Sequence, residues 1–83
     1  MRTATYVSEA PNFKTDAILW FLDEPLNGYE LIITSIADNL LAKETMVFGY
    51  TLENGVDWSE LDVYLDSPNH KESLSRLGYE IAA

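Results

Sequence analysis

The chain's one histidine, His70, has Ser67 and Ser73 three residues away on either side and Asp66 four residues before it. A hydroxyl, an imidazole and a carboxylate are the ingredients of acyl transfer, provided that they meet within hydrogen-bond reach on a turn that exposes the nucleophile. No G-x-S-x-G turn occurs, and a helix N-terminus in this region would disfavour imidazolium. His70 therefore reads as an exposed residue of a first helical turn. Asp57, Glu60, Asp62 and Asp66 raise the question of a divalent cation, but no D-x-[DN]-x-[DN]-G loop gathers them. Paired carboxylates working on a sugar need a walled cleft, which a chain of 83 residues rarely encloses. The four glycines form neither G-x-G-x-x-G nor a phosphate-binding loop. With no cysteine, thiolate metal sites, iron–sulfur clusters, disulfides and cysteine nucleophiles are excluded. The expectation is a protein that is not an enzyme and carries no metal or cofactor.

The remaining chemistry is charge. Fourteen acids against five bases give a formal net charge of −9. Residues 53–83 carry −5 of it and residues 1–52 carry −4. Such a balance repels nucleic acid and anionic lipid and suits a basic partner. In Glu60–Asp66 (ELDVYLD) Leu61, Val63 and Leu65 alternate with Glu60, Asp62, Tyr64 and Asp66. On a strand, alternate side chains recur about every 6.6–6.8 Å. That is similar to the through-space separation of neighbouring phosphates, whose axial rise is ~3.4 Å. Glu53, Asp57, Glu60, Asp62, Asp66 and Glu72 are the candidate phosphate mimics, and Trp58 and Tyr64 the candidate aromatic anchors. The alternative is an acidic stripe that serves solubility and shields a strand edge.

These side chains need a scaffold. At 83 residues and 47% hydrophobic, the chain fits one domain, 1–83, with enough apolar content for a core. The longest apolar run, Ala17–Leu22, is too short to span a bilayer, and no secretory signal is readable, so a cytoplasmic location is expected. Thr3–Ser8 reads as a strand at an edge. Ala17–Leu22 reads as an interior strand, with a helix capped by Thr15 and stopped before Pro25 as the alternative. Asp23–Gly28 is dense in turn formers, and Tyr29–Ala37 resumes a β-rich run. Asp38–Lys43 is a connection. Glu44–Leu52 is a further strand with Gly49 as a bulge, and Asn54-Gly55 predicts a type I′ hairpin into Glu60–Asp66. A short helix capped by Asp57 is the alternative there. Ser67 as N-cap, Pro68 at the first helical position, Leu74 and Leu77 on one side and Gly78 past the end predict a helix. Tyr79–Ile81 returns as a short strand. The expected fold class is α+β, a mainly antiparallel sheet of four to six strands with one C-terminal helix packed on a face.

The run Glu44-Thr45-Met46-Val47-Phe48, then Asn54-Gly55-Val56-Asp57-Trp58-Ser59-Glu60-Leu61, then a short capped helix resembles small acidic phage-encoded proteins. This chain departs from that pattern at Pro68-Asn69-His70, where a Glu/Ala-rich helix start is usual. The resemblance implies a protein that binds and blocks a host factor, as anti-CRISPR and other nucleic-acid-mimicking inhibitors do. The expected partner is the basic surface of a nucleic-acid-handling protein or defence complex. No direct contact with nucleic acid or membrane is expected, and the chain is monomeric or a homodimer. The alternatives are a small assembly module that oligomerises through a sheet edge, supplied by Thr3–Ser8 or Glu44–Leu52, and an antitoxin or immunity partner of a basic toxin.

Overall fold

The computed structural model describes residues 2–10, 13, 16–38, 43–65 and 69–82. Six strands and one helix follow one another as β1 (Arg2–Glu9), β2 (Asp16–Leu26), β3 (Tyr29–Asp38), β4 (Lys43–Thr51), β5 (Gly55–Leu65), α1 (His70–Leu77) and β6 (Tyr79–Ile81). They form one sheet in the order β5-β4-β3-β2-β1-β6. Consecutive strands β1 to β5 are antiparallel neighbours, and β6 joins the far side of β1 in parallel. The class is α+β. Residues 17–22 and 57–65 are both strand, so neither helical alternative is realised.

Alternation along β2 sorts its apolar run into two cores. Ala17 and Leu19 join Ala10, Ile33 and Phe48 on one side of the sheet, with Phe13, Leu31, Met46, Tyr50 and Val56 packed against them. Trp20 and Leu22 join Ala4, Ile32, Val47 and Tyr79 on the other side, where the helix residue Leu74 is fully buried among them and Leu77 packs against the group. We call the second the helix side.

Several local expectations are corrected. The hairpin with two central residues at positive φ is Asn27-Gly28 (49° and 87°), closed by the pair Leu26↔Tyr29. At 54–55 only Gly55 is left-handed (φ 73°), and the loop is Leu52–Asn54 between the paired Thr51 and Gly55. Gly49 is not the bulge. The extra residues lie opposite it in β5, and Gly49 is glycine because the Tyr29 ring lies over it, where a Cβ would come within 2.6 Å. The helix N-cap is Asn69, whose side chain accepts from Glu72 N–H at 2.8 Å, and Gly78 closes the helix at φ 91°. Ser67 and Pro68 lie outside the described residues. Glu44–Leu52 is no edge, since β4 runs between β3 and β5. Thr3–Ser8 is edge only in part, because β6 covers Arg2–Ala4.

Candidate functional site

Strand β5 is expected to present a row of acids, and its register against β4 carries two shifts. Val47 pairs with Asp62 but Phe48 with Glu60, and Gly49 with Asp57. The extra residues are Leu61 and the pair Trp58-Ser59. Each extra residue shifts the parity of a strand against its neighbour. Glu60 and Asp62 are therefore registered opposite consecutive residues of β4, whose side chains belong to opposite cores. Tyr64 is registered opposite Thr45. The side chains of Glu60, Asp62 and Tyr64, and the whole of Asp66, lie outside the described part.

The other expected residues are placed in detail. Asp57 accepts a hydrogen bond from the Tyr29 hydroxyl and another from Ser59 N–H at 3.0 Å. The Tyr29 bond, then the Ser59 amide, hold its carboxyl below the usual range, and the same bond raises the Tyr29 phenol. Asp57 thus ties β5 to β3 across Gly49. Glu72 is ion-paired with Arg76 at 2.9 Å, one helical turn on. Glu53 is exposed in the β4–β5 loop. Trp58 is 64% exposed and rests on Phe13 and Phe48 with ring centroids at 5.4 and 5.6 Å, on the side away from the helix.

Topology assembles a different acidic surface. Strand β1 and strand β6 begin, β2 and β4 end, and β3 begins at one end of the sheet, as the pairs Ala4↔Leu22, Arg2↔Tyr79 and Leu31↔Tyr50 require. That end carries Asp23, Glu24, Glu30, Glu53 and Glu80, all exposed. Asp23 accepts from Thr3 N–H at 2.9 Å, which is the main reason its carboxyl sits below the usual range. Arg2, the base at this end, is engaged: it donates to Leu77 O at 2.7 Å, lies 3.7 Å from Glu24 and stacks over the Tyr79 ring at 4.4 Å. Between the two hairpin tips is a groove of about 370 Å³ lined by Tyr29, Glu30, Leu31, Tyr50, Leu52 and Glu53. Sequence reading missed Asp23 and Glu24, which occur among turn formers, Glu30, in the β-rich run that follows, and Glu80, in the short last strand. The signal for the first three was the hairpin, which brings its tip beside the β4–β5 loop.

The acyl-transfer letters do not meet as expected. Ser73 is buried and donates to Asn69 O at 3.1 Å. His70 is not exposed: its side chain is 12% accessible, with Nδ1 2.6 Å from Thr34 Oγ1 and Nε2 3.2 Å from Asp16 Oδ1. Thr34, His70 and Asp16 resemble a nucleophile, a base and an orienting acid. Yet Thr34 is fully buried and also accepts from Trp20 Nε1 at 2.9 Å, so no substrate carbonyl can approach its hydroxyl. The set pins the start of the helix to β3 through Nδ1, whereas the buried Nε2 makes no hydrogen bond despite the nearby Asp16 carboxylate. Among the described residues no cluster of three or more metal-ligating side chains occurs, and no helix is long and apolar enough to cross a membrane.

No family model matches the chain, and no curated protein or solved structure matches it at a significant level.

Proposed function

We propose that this protein is a non-enzymatic acidic inhibitor that binds the basic, nucleic-acid-binding surface of a host defence or nucleic-acid-processing protein, in the manner of an anti-CRISPR, by presenting carboxylates where that surface receives phosphates. The observation that carries the reading is the distribution of charge at the hairpin-tip end of the sheet. Asp23, Glu24, Glu30, Glu53 and Glu80 are exposed there, and the nearby bases Arg2 and Arg76 already have acidic partners within the chain. Unneutralised charge of one sign speeds encounter with a cationic surface and makes affinity fall as salt rises. Of the residues expected from sequence, Glu53 and Trp58 contribute to this surface directly.

The assembly module is the weaker reading. An edge that recruits another strand should be flat and regular, whereas β5 carries two register shifts and is rich in acids, both of which oppose strand addition. An antitoxin of a basic toxin would use the same acidic end, with a different partner.

The test is capture of host proteins on the immobilised chain, with elution by salt and competition by duplex DNA and RNA. Two charge-reversal variants are compared, Glu30→Lys/Glu53→Lys/Glu80→Lys and Glu60→Lys/Asp62→Lys/Asp66→Lys. Retained proteins should be displaced by polynucleotide, and the first variant should lose them more completely than the second. Retention that polynucleotide does not compete, or that survives both triple reversals in folded protein, overturns the reading.

A further inference from the structure

The two sides of the sheet are finished differently. On the helix side Leu74 and Leu77 close over the centre of the apolar cluster, with Tyr6, packed on Trp20, and Ile81 exposed at its margin. On the other side Phe21, Leu31, Tyr50 and Val56 are direct partners across β2, β3, β4 and β5. At about 4.8 Å per strand step they form an apolar row about 14 Å long. The row is only partly covered: Phe21 is 44% exposed, and Trp58 and Leu52 flank it at 64% and 87%. The acid-lined groove adjoins this row at the sheet's end: Leu31 and Tyr50 belong to both, and Tyr29, which packs with the helix-side cluster, also lines it.

Charge decides what fits. The bases whose side chains are described belong to the helix side: Lys71 and Arg76 are on the helix, and Arg2 is bonded to its last carbonyl groups. Among the described residues the uncovered side has no base to offset Glu53 in the groove or Glu80, which alternates with the helix-side Tyr79. A second copy of the chain would bring a further −9 to a surface that is already anionic. A purely apolar partner would leave those carboxylates without countercharge.

Resting on the reading above, we infer that the helix-free face is the docking surface for an amphipathic, cationic polypeptide segment of the partner. Its apolar side chains lie along the row from Phe21 to Val56 and against Trp58. One lysine or arginine enters the groove, its stem against Leu31 and Leu52 and its charged head between Glu30 and Glu53. Recognition is then an apolar row plus a charged pocket, and bulk negative charge alone does not account for it.

Two synthetic peptides of equal length and charge test this, one an amphipathic Lys/Leu sequence and the other Lys/Ser. Trp20 is buried and Trp58 exposed, so a blue shift of tryptophan emission on titration reports coverage of Trp58. The Lys/Leu peptide should bind about tenfold tighter or more and cause the shift, and Phe21→Ser should remove most of that advantage. If Phe21→Ser fails to fold, Leu52→Ser, at a highly exposed position, serves instead. Equal binding of both peptides would overturn the inference while leaving the acidic-surface reading standing. Binding of neither would overturn both. Salt-resistant dimers in light scattering, dispersed by Phe21→Ser, would assign the face to a second copy and also overturn the inference.

Discussion

The two faces of this sheet are built from the same strands and covered differently. The helix side has a closed centre, with Tyr6 and Ile81 exposed only at its margin: Leu22, Ile32, Val47, Leu74 and Tyr79 are at or near zero exposure, and Trp20 Nε1, Thr34 and His70 Nδ1 meet at a single hydroxyl. On the other side, among the described residues, Phe13 packs on Phe48 and Trp58, and Phe21 and Trp58 remain exposed. A six-stranded sheet is wider than one eight-residue helix, so the helix closes over one face only. Stability should reside on the first face and recognition on the second.

That division can be broken by substitution. The largest effect is expected from Leu74→Ala, which opens a cavity on the closed side and should cost about 2–5 kcal/mol in urea unfolding. Thr34→Val keeps the shape but leaves Trp20 Nε1 and His70 Nδ1 without their shared partner, so about 1–3 kcal/mol should be lost. Gly49→Ala forces a Cβ against the Tyr29 ring and should cost about 1–3 kcal/mol, with loss of the Tyr29–Asp57 bond. At the other extreme, Trp58→Ala should move stability by no more than about 0.5 kcal/mol while weakening partner binding. If Trp58→Ala destabilises as much as Leu74→Ala, the contrast between the faces is lost.

The pH dependence sharpens the same comparison. Asp57 has its carboxyl lowered by the Tyr29 hydroxyl, then by the Ser59 amide, and Asp23 has its own lowered by the Thr3 amide. Their stabilisation is complete above the unfolded carboxylate value of 3.8 and is lost as pH falls through the lower folded values. Tyr29 and Tyr79 have raised phenols, the first through Asp57 and the second mainly through burial. Their contribution is complete below 10.0 and is lost as pH rises through the higher folded values. In pH-dependent thermal melts, Tyr29→Phe should flatten both flanks while retaining the part due to Asp23 and Tyr79. Flanks unchanged in Tyr29→Phe would show that the Tyr29–Asp57 bond does not link β3 to β5 in solution.

Much of the scaffold was legible because local chemistry dictates it. The apolar run 17–22, the β-branched run 29–37 and the cap at Gly78 each determine their own backbone. What failed to read depends on distant pairing. Asn27-Gly28 and Asn54-Gly55 are the same dipeptide, and only the register of the flanking strands makes the first a two-residue turn and the second the end of a longer loop. Ser67 and Asn69 are both good caps, and it is the Asn69 side chain that accepts from the first turn. The perfect alternation of 60–66 gave a strand but hid the shift at Leu61, which depends on β4. His70 read as exposed because Thr34, its partner, is 36 residues away.

The most direct test of a structural face and a binding face is residue-resolved NMR during titration with the amphipathic Lys/Leu peptide. Amide and side-chain shifts should concentrate at Phe21, Leu31, Tyr50, Glu53 and the Trp58 indole, with Lys71–Leu77 and the Trp20 indole unmoved. Shifts centred on the helix, or spread evenly over every acidic residue, would contradict the account.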